Sequence, residues 1–529
     1  MPAPEPIGSV SNIAHLIPGI AGSVLATAAA WPSQLRSSSP ERRTQTLGHR
    51  VIIPVTTVKL ARSAVASAAF WVCLLALFIA LRLNTSDVEL NIDEQIPLRI
   101  SEGMSARGDL DPNWRLADLS YFFKIDQYNF YLYNVVAHGV LKIGAWFGVA
   151  GLPALRVANV VFQLLALFFS IDALRRIGFA PFALALAAAF LALAPGMIQD
   201  AAIARPESLL YLVVALQIWV LTLRLSDRQT GFWFGLVLGM GMAIKVTYGL
   251  AVIMIAVPWM LSWHTRSRSV VLTGAAAVVT GAALGFVAAA PYAVIHPDVL
   301  LNGIALLTHQ YNFGQPPHSL PTYDVLHQSL WLGSYFGELY GLVPLASVAA
   351  PFLLKGKARN LAAGFVILTL VLFAYFSLKA VFYERNFSFT LVPVLLAAAL
   401  AVSALRQRYW RVVAAAVLAF PMGYWSIQIA SAVHDPGRLA RFEAAHALSP
   451  SERQNFDDSF DKTIPVRCET IGVTDFNEPW TAQYLVLLED HGFRPIARYR
   501  SRFGTLVTST LQTYLDADVH YFRCPESRR

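Results

Sequence analysis

The residues best suited to chemistry in this 529-residue sequence are acids that follow its first long apolar segment. Residues 91–114, NIDEQIPLRISEGMSARGDLDPNW, carry five carboxylates in a chain that is otherwise mostly apolar. These acids are Asp93, Glu94, Glu102, Asp109 and Asp111. A carboxylate beside apolar walls is a stronger base than one in water, because loss of water disfavours its charged form. Such a group could take a proton from a hydroxyl.

The same stretch predicts an amphipathic helix that lies on a membrane surface. Ile96, Ile100 and Met104 recur at a spacing of four, which places them on one face of a helix. Asp93 is suited to cap the first turn, and Gly108 stands where a C-cap belongs. A purely structural N-cap is therefore the alternative to a chemical role for Asp93.

The composition indicates a polytopic membrane protein. Hydrophobic residues make up 56% of the chain and charged residues only 14%, whereas soluble domains carry about 25% charged residues. The net charge of +8 is spread over short clusters between apolar runs, which is typical of topology signals and does not favour nucleic-acid binding.

The basic clusters also predict the topology. We expect a disordered cytoplasmic leader over residues 1–60 and a transmembrane domain over 61–430, with a first span at 61–83. The acids would then emerge in a first outer loop, 84–153. Within it, residues 128–148 could cross the membrane or lie in the interface, and only the interfacial alternative leaves all later basic clusters inside.

With an interfacial helix, the pattern predicts about eleven spans, and residues 431–529 lie outside the cytoplasm as a small α/β domain. Its predicted strands include PVRCETIGV, FRPIARYR and VHYFRC. Cys468 and Cys524 fall in two of these strands and could form a disulfide in an oxidising compartment, or remain unpaired. The fold class is thus an all-α polytopic membrane protein with a small C-terminal α/β domain.

The first outer loop also resembles a known family. An Asp-Glu pair, a short helix containing Met104, then Gly108-Asp109 and Pro112, is similar to the first extracytoplasmic loop of C-type (GT-C) glycosyltransferases. The branch it resembles is that of the protein O-mannosyltransferases and the lipid A aminoarabinose transferase. The resemblance implies that Asp93 is the catalytic acid, with Glu94 in support.

The family implies a sugar donor linked to polyprenyl phosphate and an inverting direct attack on the sugar. The sequence shows no Walker loop or dinucleotide fingerprint, which agrees with a donor carried on lipid. The expected acceptor is a glycolipid, polysaccharide or protein on the outer face of a bacterial inner membrane. We expect no required cofactor.

Several basic residues are candidates for contacts to the donor phosphate. Arg205, with the acid Glu207, resembles a family pair at the mouth of a span, although it could equally be a solvated helix start. Lys245, Lys379 and Arg385 resemble later basic positions of the family, and the alternative is that they pair with the acids of the first loop.

One departure concerns the family's Lys-Pro-Pro-Leu box, where this chain reads DQYNFYLY. Lys124 is the nearby cation that could replace the lysine of that box. The departure leaves the donor class and the subfamily open.

Other polar residues have weaker assignments. His309, Tyr311 and His318 lie in a long outer loop and are candidates for acceptor binding. Asp109 and Asp111 have the Asp-x-Asp form of a metal site, but beside a proline that form more often makes a turn. We therefore predict no metal site.

Two rival functions remain for a chain of this kind. A secondary transporter or lipid flippase has a similar number of spans, but the sequence shows no internal repeat of the sort that such proteins carry. The other rival is a catalytically silent subunit for polysaccharide assembly that retains the fold.

Overall fold

The computed structural model describes the larger part of the chain. The described residues are 55–83, 92–117, 126–262, 267–313, 324–380, 384–433, 469–475, 485–486, 488–490, 492–499 and 518–526. Lys124, His318, Cys468 and most of the predicted leader lie outside these ranges.

The described chain is mainly helical. Its first helices are α1 (Val55–Arg82), α2 (Ile92–Arg107), α3 (Tyr131–Trp146), α4 (Leu152–Ile177), α5 (Pro181–Ala192), α6 (Pro195–Ala202), α7 (Glu207–Val220) and α8 (Asp227–Ile244). The later ones are α9 (Ile253–Leu261), α10 (Arg268–Ala289), α11 (Pro291–Ile295), α12 (Pro297–Phe313), α13 (Val325–Tyr340), α14 (Val343–Leu353), α15 (Gly356–Ser377), α16 (Ser388–Ser403) and α17 (Arg408–Val433). Short 3-10 helices cover Arg115–Ala117, Val246–Val252 and Glu384–Phe387.

Two compact units divide the chain, Met1–Ala76 and Leu77–Arg529. In the first unit the described residues are 55–76, the first part of α1, and the rest of that helix belongs to the second unit. All the site residues discussed below belong to the second unit.

The helices confirm a polytopic membrane protein. Five of them are long and apolar enough to cross a membrane, and the number rises to seven if two bent pairs each count as one span. The pair α5 and α6 bends by 48°, and the pair α13 and α14 bends by 89°. Three shorter apolar helices follow the predicted pattern as well. The total of eleven spans stays a prediction.

Helix α2 forms as its apolar pattern predicts. Ile96, Ile100 and Met104 are buried and pack against Trp114. The helix ends at Gly108, whose φ of +72° is readily adopted by glycine, and whose N–H donates to the Met104 carbonyl at 2.9 Å. The predicted N-cap is wrong: the helix begins at Ile92 and Asp93 lies within its first turn.

Helix α3 corresponds to the segment predicted to lie in the interface. It has 16 residues, or about 24 Å of helix at 1.5 Å per residue, which is shorter than the hydrocarbon core of about 30 Å. It is not among the helices of spanning length in the described chain. Its placement relative to the membrane stays a prediction.

Glycines set the packing between α8 and α10. A Cβ atom on Gly235 would lie 2.2 Å from the Val278 carbonyl oxygen, and one on Gly239 would lie 2.1 Å from the Ala282 oxygen. The contact is reciprocal, because a Cβ on Gly285 would meet the Leu236 carbonyl oxygen at 2.1 Å. Absence of side chains at these positions lets the two backbones touch. This contact fixes α8, at whose end Lys245 lies.

The C-terminal region contains the three predicted strands: β1 (Thr470–Asp475), β2 (Arg494–Tyr499) and β3 (Asp518–Arg523). They form an antiparallel sheet in the order β1-β3-β2. Ile471, Val473 and Phe522 belong to its small apolar core, together with Cys524. Cys524 is disulfide-bonded and Cys73 is free; the predicted pairing with Cys468 concerns a residue outside the described ranges.

The glycine contact gives a test of the packing. We expect Gly239→Ala to lower the free energy of unfolding by about 1–3 kcal/mol, because the added methyl group overpacks a backbone contact. Gly423→Ala is the matched control, since a Cβ at Gly423 on α17 meets nothing within 4 Å. Thermal unfolding in nanodiscs would measure both variants. Equal melting temperatures would contradict the tight contact.

Candidate functional site

Asp93 lies at the centre of a cluster of charged side chains. Its Oδ2 is 2.5 Å from Nη1 of Arg385, a residue 292 positions later in the chain. The same oxygen is 3.5 Å from Nη1 of Arg205. Two of the predicted cations thus contact the acid that was selected in the first loop.

The two arginines set the basicity of Asp93. Burial raises the pKa of its carboxyl group, but the charges and hydrogen bonds of Arg385 and Arg205 outweigh burial and hold the pKa below its usual value. Burial thus acts on the pKa in the predicted direction, but the two arginines reverse the net effect and make this carboxylate a weaker base than an ordinary aspartate. The ion pairs stabilise the fold at neutral pH, and this contribution is lost only when acid protonates Asp93.

Deeper in the protein, the charges continue in alternation. Arg205 Nε lies 3.7 Å from Oε2 of Glu207, and Lys245 Nζ lies 3.8 Å from Oε1 of the same carboxylate. Arg205 Nη2 is also 3.5 Å from Oδ1 of Asp200. The side chains of Arg205 and Glu207 are 4% and 2% exposed. We call Asp93, Asp200, Arg205, Glu207, Lys245 and Arg385 the charge network.

The bend between α5 and α7 places the acids and Arg205. Pro195 begins α6, which is bent by 48° from α5, and Pro206 directly precedes α7. The Asp200 carbonyl accepts from Ser208 Oγ at 3.0 Å, and its side chain accepts from Tyr211 Oη at 2.6 Å. These bonds fix the loop that carries Arg205.

Lys245 connects the network to the late segment of the chain. It follows the last residue of α8, and its Nζ donates to the Arg385 carbonyl at 3.3 Å. Ser388 Oγ donates to the same carbonyl at 2.9 Å. The backbone at Arg385 is thereby held by α8 on one side and by the start of α16 on the other.

Glu94 has a different environment from its neighbour Asp93. It is fully buried, and Arg156 of α4 donates to both of its oxygens, at 2.9 Å from Nε and 2.7 Å from Nη2. The Ala204 N–H also donates to Oε1 at 2.7 Å. Glu94 thus joins α2 to α4 and to the loop before Arg205, and its oxygens are occupied by protein donors.

The other predicted cations are placed differently. Lys379 is half-buried, its Nζ donates to Asn312 Oδ1 at 2.7 Å, and it lies 5.0 Å from the ring centroid of Tyr375. Both partners lie outside the charge network. Lys124 is outside the described residues.

Tyr311 supports the segment that carries Arg385. Its Oη donates to Asn386 Oδ1 at 3.1 Å, and its carbonyl accepts from the Ala380 N–H at 3.0 Å. The predicted acceptor contact therefore falls on a hydroxyl that already bonds the protein. His309 lies two residues earlier on α12 and is exposed, and His318 is outside the described ranges.

The Asp-x-Asp sequence forms a turn. Arg107 donates to both oxygens of Asp109 at 3.0 Å. The Asp111 N–H donates to Asp109 at 3.1 Å, and the Asn113 N–H donates to Asp111 at 3.1 Å. Within the described ranges, no group of three or more His, Cys, Asp or Glu residues could hold a metal ion. Independence from metal stays a prediction.

Three residues of the site were not selected from the sequence. Asp200 and Tyr211 flank the Arg205 motif, and Arg156 interrupts an apolar span. A charged residue within an apolar span signals a buried partner, so Arg156 was the one with a readable signal.

No protein-family model and no curated protein matches this chain. Among solved structures, it is similar to ArnT from Cupriavidus metallidurans in the apo state, with a TM-score of 0.46, 17% identity and coverage of 71% of this chain and 70% of that one. For ArnT bound to undecaprenyl phosphate, the TM-score is 0.46, the identity 14% and the coverage 90% and 100%.

A third similar structure is that of the arabinofuranosyltransferase AftD from Mycobacteria, with a TM-score of 0.42 and 15% identity. The match covers 87% of this chain and 40% of AftD.

Glu94 and Glu102 of α2 form ion pairs that differ in burial, and the comparison tests how much the buried pair stabilises the fold. We expect Glu94→Gln to lower the free energy of unfolding by about 3–5 kcal/mol, because Arg156 would keep a buried, uncompensated charge. Glu102→Gln is the control, since its pair with Arg99 is 58% and 68% exposed and should contribute less than about 1 kcal/mol. Chemical unfolding in detergent would compare them. A Glu94 variant as stable as the control would contradict the buried pair.

Proposed function

We propose that this protein is an integral membrane glycosyltransferase that uses a sugar linked to polyprenyl phosphate. The observation that carries the proposal is the partly exposed carboxylate of Asp93, with Arg385 and Arg205 on the same oxygen. A base for a hydroxyl and cations for a phosphate are the two requirements of such a transfer. Both occur at one site of a protein with apolar spans.

In the proposed reaction, an acceptor hydroxyl attacks the anomeric carbon of the donor. A carbon–oxygen bond forms to the acceptor while the bond to the phosphate oxygen breaks, and its electron pair remains on the phosphate. Asp93 takes the proton of the hydroxyl. Direct attack from the opposite face inverts the anomeric centre.

The cations divide by burial. Arg385 is 24% exposed and Lys245 is 13% exposed, so Arg385 is the better placed for a lipid phosphate that enters from outside. An arginine also matches two phosphate oxygens with two N–H groups. Arg205 and Lys245 both contact Glu207. They compensate its negative charge and keep the geometry of the site.

Glu94 and Glu207 act as supporting residues in this proposal. Glu94 holds α2 in place through Arg156, which orients Asp93 one residue earlier. Glu207 lies between Arg205 and Lys245 and keeps two like charges together in a buried setting. Neither carboxylate takes the proton.

The expected setting is a bacterial inner membrane with a cytoplasmic N-terminus and an extracytoplasmic C-terminal domain. The acceptor would be a glycolipid, a polysaccharide or a protein on the outer face. The ArnT structure with undecaprenyl phosphate suggests the probe that is convenient for a first test, a donor on an undecaprenyl carrier.

Substitution of the base tests the proposal. We expect Asp93→Asn to lower the transfer rate by about 10²–10⁴-fold, because the acceptor would lose its general base. The measurement is transfer of radiolabel from a panel of undecaprenyl-phosphate sugars to total membrane glycolipid in nanodiscs. Glu102→Gln, an exposed acid on the same helix, should transfer at the wild-type rate.

Other outcomes would favour the rivals. Transfer at the wild-type rate by a folded Asp93→Asn protein would remove Asp93 from the base role. No transfer from any donor by the wild-type protein would favour a transporter, a flippase or a silent assembly subunit.

A further inference from the structure

We infer that Arg385 masks the Asp93 carboxylate in the donor-free protein and moves to the donor phosphate on binding, which releases Asp93 to act as a base. This inference rests on the proposed function and adds an order to it. The donor must bind before the acceptor hydroxyl can be activated. Asp93 and Arg385 would then form an ion pair in the donor-free protein, and donor binding would separate them.

The first observation is the contrast in exposure along the charge network. The side chains of Asp93 and Arg385 are 28% and 24% exposed. Those of Arg205, Asp200 and Glu207 are only 4%, 6% and 2% exposed. A ligand from outside therefore reaches the Asp93–Arg385 pair before any other pair of the network.

The second observation is how Arg385 is held. Its carbonyl accepts hydrogen bonds from Lys245 and Ser388, and the next two residues, Asn386 and Phe387, are buried. The backbone is therefore anchored, while the long side chain carries a guanidinium group that is partly exposed. A change of side-chain rotamer can move the charge without a change in the fold.

The third observation concerns what remains at Asp93. Arg205 lies 3.5 Å from the same oxygen that Arg385 contacts at 2.5 Å. Arg205 is itself bound to Asp200 and lies beside Glu207, both buried, so it cannot follow the phosphate. After Arg385 has moved to the phosphate, Asp93 keeps the more distant Arg205 and has lost the nearer arginine.

The exchange follows from the chemistry of the partners. Guanidinium groups form paired hydrogen bonds with phosphate as readily as with carboxylate. A donor phosphodiester brings one negative charge to a network of three acids and three bases. One of the bases must therefore pair with the phosphate. Arg385 is the most exposed of the three bases, since Lys245 is 13% exposed and Arg205 less.

Basicity should follow the same exchange. Burial raises the pKa of Asp93, while Arg385 lowers it more strongly than Arg205 does. Removal of the nearer arginine leaves burial and Arg205 in opposition, so the pKa of Asp93 should rise and the carboxylate should become a better proton acceptor.

Other charged groups near Asp93 belong to the charge network, to its own helix and to α3. Asp200 and Glu207 contact Arg205, and Lys245 contacts Glu207 and the Arg385 carbonyl. On its own helix, Glu94 is neutralised by Arg156 of α4. Tyr133 of α3 is buried, and burial raises the pKa of its hydroxyl well above the usual value, so it stays neutral.

Proton uptake on binding is the measurement that tests the inference. The probe is methyl undecaprenyl phosphate, a phosphodiester that has one negative charge and does not titrate near neutral pH. Calorimetric titration of the full chain in nanodiscs, in buffers of different ionisation enthalpy, would count protons at about pH 4–6, the range just above an ordinary aspartate. We expect the wild-type protein to take up a fraction of one proton per bound probe.

Three variants separate the contributions. Asp93→Asn should bind the probe with no proton uptake at this site. Arg385→Gln should bind about tenfold more weakly, having lost a charged hydrogen bond, and should also show no uptake, because its Asp93 is already unmasked. Arg99→Gln removes an exposed arginine from α2 and should behave as wild type.

The possible failures are distinguishable. Binding of the probe by the wild-type protein without proton uptake, or uptake that persists in Arg385→Gln, would overturn the masking by Arg385 and leave the proposed function intact. No binding of the probe at all would overturn the proposed function, and this inference with it. Because Asp93→Asn and Arg385→Gln change opposite ends of the pair, poor folding of one leaves the other as a test.

Discussion

The neutralisation of charge inside an apolar protein is the constraint on which the rest of this structure depends. An ionised side chain taken out of water is strongly destabilising unless an opposite charge or several hydrogen bonds compensate it. Here the charged groups alternate in sign from the partly exposed Asp93 through Arg205 to the buried Glu207 and Lys245. Each group needs its neighbours, so removal of any one leaves others uncompensated. The site is therefore fixed by the same interactions that make its burial tolerable.

Helix packing brings these charges together. The network draws on the first turn of α2, the bend before α7, the end of α8 and the 3-10 helix before α16. The position of Lys245 depends on α8, which lies against α10 through glycines that allow backbone contact. The position of Asp93 depends on the apolar face of α2 and on the Glu94–Arg156 pair. Apolar packing and ion pairs thus act on the same few helices.

The sequence predicted the local features well because they depend on local patterns. The apolar spacing in α2, its end at Gly108 and the three C-terminal strands are all periodic or glycine signals. The sequence could not choose between Lys379 and Arg385, six residues apart, because their partners, Asn312 and Asp93, lie far away along the chain. Nor could it assign the basicity of Asp93, which depends on an arginine 292 positions away. Contacts of that separation leave no periodic trace.

Asp93 and Glu94 illustrate how one local rule can give two opposite outcomes. The two acids are adjacent, and successive residues on a helix point about 100° apart, so they cannot share an environment. Glu94 faces α4 and is enclosed by Arg156 and the Ala204 N–H. Asp93 is partly exposed, and so is Arg385, the nearer of the two arginines that contact it. A carboxylate whose partners are all buried can only hold the fold, whereas one whose partner can be drawn away by a ligand can change its basicity. Accessibility of the partner, and not the acid itself, therefore distinguishes the two residues.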